Sequence, residues 1–573
     1  MGTISDKLMR IINTKEDIRQ ALISKGYDVP TSMPFKEYAK MILDLPCKVD
    51  SFPDIEGIVA RYSASGLTNE QMAANPVWVD KIGNGHDLQL KHFAWKGMSG
   101  VGGYVADIDE WGTNSTAAYF ERNSIKITAT FKENVSLGLL YHNIKLRQSC
   151  VLKVTGIPEG CDAFLDDRLG NRFYMSEDGV YEIIPSNFLA EALYFSIEKY
   201  PERWYGSKLT IEQLPLYPGA LVFDGVDDCG VCDNFPILTK EKGYTVVVLR
   251  QWDQDFLNTT LTGGLLSTRN YSTGEGVAFE KIESSNKGYW NLGAGGIIDF
   301  AKSPFTRQTS KQYNNVGILK GDKNHGKPLC VGCGLSGGQQ CGRFAIWELV
   351  FLDHDATEEE LTKIKDYFVK TYPWLFPDQA WTVVGKTNED EDRATIANIT
   401  GNGNDLVLSN FGFAEGSGYN EEGEYAGYLV TDGVDDKIIS SIFKMGNDWT
   451  VIGDWELINT GKNDNAGIVK FDSIVIYNYN SVLINIKNGR NILIPDQNTV
   501  NAICSDGRIY SKDWKESIYN EETESTSKNF LTIGYSGNAY TKIAFKNLAI
   551  YPTVLSREDC IKAYNYLQTL KAK

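Results

Sequence analysis

Two carboxylate clusters and two thiol pairs are the residues of this chain best suited to chemistry. Asp227 and Asp228 close the segment LVFDGVDD (221–228), and Asp435 and Asp436 close its near-copy LVTDGVDD (429–436). Neighbouring carboxylates in a glycine turn offer the hard oxygen donors that Ca²⁺ takes, or they cap the turn and face water. Cys229-x-x-Cys232 and Cys330-x-x-Cys333 have the spacing of a tetrahedral thiolate zinc site, provided the fold brings the pairs together. Lys437 and Ser440 stand at the places of the first pair in the second copy, so the repeated fold does not require that metal. Trp290, Trp449 and Tyr535 fall near expected sheet rims, where an open ring could stack on a sugar.

Catalytic patterns are thin. GLSGG (334–338) matches Gly-x-Ser-x-Gly, but it runs into a strand-like segment and not into the helix a nucleophile elbow needs. AWTVVGKT (380–387) ends like a phosphate loop, yet Ala380 stands where the first glycine belongs. The segments Trp347–Leu349 and Trp455–Leu457 each offer one carboxylate on a strand, and NEDEDR (388–393) reads as a solvated loop. The five histidines form no ligand-spaced cluster. The chain is therefore expected not to be an enzyme and to require no cofactor, with calcium as the candidate ion.

The elements that must position these groups follow from a repeat. KIGNGHDLQL (81–90) returns as NITGNGNDLVL (398–408), and FAIWELVFL (344–352) returns as IAFKNLAIY (543–551). Each apolar strand is followed by an amphipathic helix with the same N-terminal box, Thr357 with Glu360 and Ser556 with Asp559. From Gly83 to Asp224 the first copy runs 141 residues and from Gly401 to Asp432 the second runs 31, a difference of 110, the size of a small domain. Short alternating runs such as SIKITAT (124–130) and VLKVTGI (151–157) give this insert its own strands, and Asp178-Gly179 reads as a hairpin turn.

The expected organisation is a helical segment at 1–48, a split first β domain at 49–105 plus 217–376, an inserted β module at 106–216, and a second β domain at 377–573. The N-terminal segment carries Ile18 and Leu22 on one short helix and Phe35, Tyr38 and Ile42 on another. Neither helix is long enough to be stable alone, so their apolar faces need a partner. Composition agrees with turn-rich β structure, with Gly 54 and Tyr 30 set against 8 Met. A net charge of -17 argues against nucleic acid and anionic membrane as partners, and no run is long and apolar enough for membrane insertion. Ten scattered cysteines are sparse for a disulfide framework in 573 residues, so free thiols made in a cytoplasm are expected.

The ordered set of Gly-Asn-Gly-x-Asp-Leu, Asp-Gly-Val-Asp-Asp and a terminal strand with its capped helix resembles the laminin G-like, concanavalin A-like jelly roll. That resemblance implies tandem sandwiches around a smaller inserted sandwich. Laminarinase-type glycosidases of this fold carry Glu-x-Asp-x-x-Glu on one strand, with two carboxylates about 5 Å apart. This spacing does not occur here. The segment IINTKEDIRQALISKGYDVPTSMPFKEYAKMI (11–42) and the run from Leu216 to Trp252 are similar to structural proteins of crAss-like, Bacteroides-infecting phages. The resemblance implies a virion surface protein, a head fibre or tail-fibre-like appendage, made in the bacterial host cytoplasm. Its N-terminal helices would anchor it to capsid or tail proteins, and a homotrimer is the habit of such fibres. Adhesion to host-surface or environmental glycans is the implied task; a polysaccharide depolymerase or a purely structural decoration are the alternatives.

Overall fold

The computed structural model describes residues 52 to 105 and most of 118 to 572, together with Lys15 and Arg19 in helix. The longer breaks fall at 133–142, 145–149, 184–192, 269–277, 282–286, 291–296, 300–304, 310–327, 459–465, 495–499 and 519–527. The chain divides into two compact units, Met1–Asp54 and Ile55–Lys573. The anchor residues Ile18, Leu22, Phe35, Tyr38 and Ile42 lie outside the described residues. With 44% strand and 12% helix, the mainly β class read from the sequence holds. Among the described residues no helix is long and apolar enough to cross a membrane.

Each repeat is built around one long apolar strand. In the first, Arg343–Leu352 is buried over nearly its whole length. One edge pairs with Thr245–Trp252, and the other is shared end to end by Leu221–Asp224 and Ile58–Ser63. In the second, Ile543–Tyr551 pairs with Thr450–Leu457 on one edge and with Leu429–Val430 and Gln379–Thr382 on the other. The register slips at matching places, Leu249/Arg250 and Asp454/Trp455. A shared bulge of this kind belongs to the architecture and is not a local accident. These strands are buried along nearly their whole length because one face meets the sandwich core while the other is also covered, as where Trp347 meets Tyr566 of the C-terminal helix.

Among the described residues three large cores stand apart, as expected where one core would exceed its workable size. The first gathers residues from Ala60 to Val101 and from Leu221 to Phe351, on both sides of the insert in sequence. The insert has its own core, running from Ala118 to Ile211. The third, from Trp381 to Ile550, belongs to the second jelly roll. The insert packs two antiparallel sheets, one ordered Gly179–Ile183, Cys150–Thr155, Lys208–Gln213, Lys126–Phe131, Ala118–Asn123 and the other Arg172–Met175, Asp162–Asp166, Leu193–Glu198, Asn143–Ile144.

The expected hairpin at Asp178-Gly179 does not form. Arg172–Met175 and Gly179–Ile183 pair into different sheets, so the turn crosses the sandwich. Asp178 spends its carboxylate on the next turn, where its Oδ1 accepts from the amides of Gly156 (2.6 Å) and Ile157 (2.9 Å).

The first helix box is reciprocal, and the second is a one-way cap. Thr357 and Glu360 cap Glu358–Thr371 reciprocally, and Ser556 accepts from the amide of Asp559 at the start of Arg557–Gln568. This last helix also reaches the first sandwich. The Tyr566 hydroxyl donates to Gln251 Oε1 (3.4 Å), and Lys571 pairs with Asp255 just beyond the helix end.

Candidate functional site

The repeated Gly-Asn-Gly segment is a turn that consumes its own polar groups. Asp80 Oδ1 accepts from the amides of Arg61 (3.1 Å) and Ile82 (3.0 Å), and its own amide donates to Asp87 Oδ1 (2.8 Å). In the second copy Asn398 Oδ1 accepts from Ala380 (3.2 Å) and Thr400 (3.0 Å), and its amide donates to Asp405 Oδ1 (2.8 Å). Asn84 and Asn402 then donate to main-chain carbonyls of Val59 and Asp378. The motif recurs because the bend needs it.

The acidic loops are equally matched, and each gains a third member. Asp224, Asp227 and Asp228 bring carboxylate oxygens within 4.8 Å of one another, as do Asp432, Asp435 and Asp436. Gly225 and Gly433 sit at φ +78° and +75°, where an added Cβ would also meet the backbone nitrogens of Arg343 and Lys542 at 3.1 and 3.0 Å. Only glycine meets both demands. Asp228 Oδ2 accepts from the Asp224 amide (3.0 Å) and Oδ1 from the Ser99 hydroxyl (2.9 Å). Ser99 in turn accepts from the Ala94 amide (2.7 Å). Asp436, Asp432, Ser417 and Gly412 repeat this chain of bonds at 2.7, 3.1 and 2.8 Å.

The loop therefore holds a neighbouring turn that carries half-buried aromatics. Trp95 (φ 54°) stacks on Phe93 with centroids 4.8 Å apart, and its counterpart Phe413 (φ 50°) lies under the Arg393 guanidinium at 5.1 Å. Bulky residues at positive φ are sparsely populated, and here both copies keep one. Val226 and Val434 project from the loop tips, 69% and 70% exposed. Burial pushes the Asp228 carboxyl up to about 8, and the neighbouring Asp224 charge adds to the rise. The more open Asp436 is raised to about 6, again chiefly by burial. Each triad could bind a metal ion, with part of its oxygen capacity already taken by the loop.

The four predicted zinc ligands do not converge. Residues three apart on a strand face opposite ways. Cys229 accordingly joins Cys330, Cys333 and Cys341 in one buried cluster, while Cys232 belongs to the sandwich core and donates to Asn234 Oδ1 (3.1 Å). Cys333 is bonded to Cys341, which also corrects the expectation of free thiols throughout.

The predicted sugar-stacking rings fare unevenly. Trp449 is a core residue, 3% exposed, and has no open face for a sugar. Trp290 ends the strand Lys287–Trp290 and Tyr535 begins Tyr535–Ser536, but both side chains lie outside the described residues. The strand carboxylate Glu348 is fully buried and serves packing: Arg61 Nε stands 3.1 Å from its Oε2, and the Tyr372 hydroxyl donates to its Oε1 at 2.7 Å.

A surface missed in the sequence lies on the insert. Arg172 pairs with Asp166 and Asp166 with Tyr194 across three strands, and the next row on the same face is Tyr174, Phe164, Ser196. The opposite face, with Leu165 and Phe195, fills the core. On the outer face the Tyr174 ring, 48% exposed, lies 5.4 Å from the Phe164 ring. The Arg172 guanidinium covers Phe164 at 4.6 Å and reaches toward Asp166 (4.0 Å), while Arg168 lies over Tyr194 at 4.1 Å. The alternation of Asp162, Phe164, Asp166 with Arg172, Tyr174 was the available signal.

No protein-family profile matches this chain, and no curated protein matches it. Among solved structures it is similar to Trypanosoma rangeli sialidase in complex with sialic acid, at 8% identity over 80% of this chain and 85% of that one, TM-score 0.23. The receptor binding domain of botulinum neurotoxin C/D mosaic serotype matches at 10% identity over 59% of this chain and 88% of that one, TM-score 0.22. The serotype D ligand binding domain with N-acetylneuraminic acid matches at 10% identity, 59% and 87% coverage, TM-score 0.20. At these scores the likeness assigns neither activity nor ligand. The expectation that the chain is not an enzyme is nonetheless corrected. A missing Glu-x-Asp-x-x-Glu strand speaks against one glycosidase class alone.

Proposed function

We propose that this chain is a glycan-binding surface protein of a phage particle, attached to capsid or tail protein through its N-terminal segment. The observation that carries glycan binding is the outer sheet face of the insert. A pyranose presents an apolar CH face ringed by hydroxyls. The half-open Tyr174 ring meets the first requirement, and the guanidinium donors of Arg168 and Arg172 with the Asp166 carboxylate beside them meet the second. The matched acidic loops add a subsidiary role, with calcium held by Asp224, Asp227 and Asp228 and by Asp432, Asp435 and Asp436, mostly hydrated because Asp228 and Asp436 already serve the loop. Placement on a virion rests on the resemblance of residues 11–42 and 216–252. Trimerisation would multiply weak single-site contacts into useful avidity.

Two experiments test the reading. The full chain is screened on a glycan array beside an Arg172→Ala/Tyr174→Ala variant; selective binding that the variant loses supports it, and binding that survives in the variant refutes the site. Antibodies raised against residues 377–573 are applied to purified particles with gold label. Label on head or tail supports the virion placement, whereas unlabelled particles contradict it. A reducing-end assay on any bound polysaccharide then tells binding from cleavage.

A further inference from the structure

Three cysteine pairs stand side by side among the described residues, and one of them, Cys333–Cys341, is already bonded. In the second pair, Cys229 and Cys330 lie on neighbouring antiparallel strands, where Gly230 is opposite Val331 and Val231 is opposite Cys330. Their side chains share one face and one buried cluster with the existing disulfide, and each is 1% exposed. A thiol-to-thiol hydrogen bond joins them. In the third pair, Cys504 ends the strand Val500–Cys504, and Cys560 sits in the first turn of the C-terminal helix. Thr450 brings these elements together: it pairs with Cys504 in the sheet, and its hydroxyl accepts from the Leu555 amide at 2.9 Å just before the helix. Again the two thiols are hydrogen-bonded, and both are fully buried.

We propose that Cys229 with Cys330 and Cys504 with Cys560 are disulfide-forming pairs, closed by a low-molecular-weight disulfide such as oxidised glutathione once the chain leaves a reducing cytoplasm. One thiolate of the pair attacks a glutathione sulfur and releases one glutathione thiolate. The second thiolate then attacks the mixed disulfide, forming the protein S–S bond and releasing the other. Two electrons pass to the oxidant, and the two thiol protons go to solvent or to the released thiolates. Hydrogen bonding from Cys560 favours the thiolate of Cys504, so that pair has a defined first attacker.

Placement gives the two crosslinks different consequences. Cys229 directly follows Asp228, so its bond braces the acidic loop against the strand Leu329–Val331. The Cys504–Cys560 bond fixes the helix that also touches the first sandwich through Tyr566 and Gln251. Since buried thiols react slowly, oxidation proceeds as these elements open or during folding.

The test uses the full chain purified under reducing conditions, then incubated with oxidised glutathione in mild urea, alkylated and digested without reduction. Cys229–Cys330 and Cys504–Cys560 linked peptides are expected. Limited proteolysis at the C-terminal helix should slow at least tenfold on oxidation, revert on reduction, and show no such change in Cys504→Ser. Full alkylation of all four cysteines after oxidation would overturn the proposal. So would stoichiometric zinc on the purified chain that protects Cys229 and Cys330 until a chelator removes it.

Discussion

Replacing Asp228 by Asn should change stability in a strongly pH-dependent way. The buried Asp228 carboxyl has its pKa raised from 3.8 to about 8, chiefly by loss of water and secondarily by Asp224. A folded-state value above the unfolded one means the folded protein holds a proton that the unfolded chain has released. The resulting stability is complete below about pH 4 and is lost as pH rises through about 8. Each pH unit in that window costs about 1.4 kcal/mol, so pH 5 to pH 8 costs up to about 4 kcal/mol, and about 2 to 3 kcal/mol after structural relaxation. Asn resembles the protonated carboxyl and can still accept from the Asp224 amide while donating to Ser99. Scanning calorimetry of both proteins at pH 5 and pH 9 should therefore give similar transitions at pH 5. At pH 9 the first-sandwich transition of Asp228→Asn should lie roughly 5 to 10 °C above that of the wild type. An identical difference at both pH values would refute the claim that burial of this charge governs the loop.

Three further outcomes follow from the same structure. Trp449→Ala should destabilise the second sandwich by about 3 to 5 kcal/mol through loss of core packing, while leaving glycan affinity of the remaining folded protein unchanged on titration. Glu348→Ala removes the carboxylate that faces the buried Arg61 guanidinium, 2% exposed, and should cost about 3 to 5 kcal/mol in urea unfolding. If the acidic loops hold calcium, millimolar calcium should raise the melting temperature relative to chelator, and Asp227→Asn with Asp435→Asn should abolish that rise; an equal rise in the double variant would place the ion elsewhere.

What was legible in the sequence was mostly turn and cap chemistry. Gly225 and Gly433 answer the same steric demand, Asp228 and Asp436 accept from the same amide, and Thr357 with Glu360 forms a box that needs only local geometry. Such devices repeat because the bend they make repeats. What stayed hidden depends on register. Cys229 and Cys232 look like a ligand pair until the strand turns them to opposite faces, and Asp178-Gly179 looks like a hairpin until its flanking strands join different sheets. The outward row on the insert escaped for a related reason: Phe164 and Leu165 are both apolar, and only the pairing partners show which one faces outward. Trp449 was misread because a tryptophan beside a loop has the same sequence context whether it lies on a rim or in a core.

Isothermal titration of the full chain with the best oligosaccharide from the array, beside Tyr174→Ala, tests the central claim most directly. Loss of one stacking ring should cost about 1 to 2 kcal/mol, a five- to thirty-fold weaker Kd at unchanged melting temperature. Equal affinity in the variant, or no heat with any glycan, would contradict a sugar-binding face on the insert.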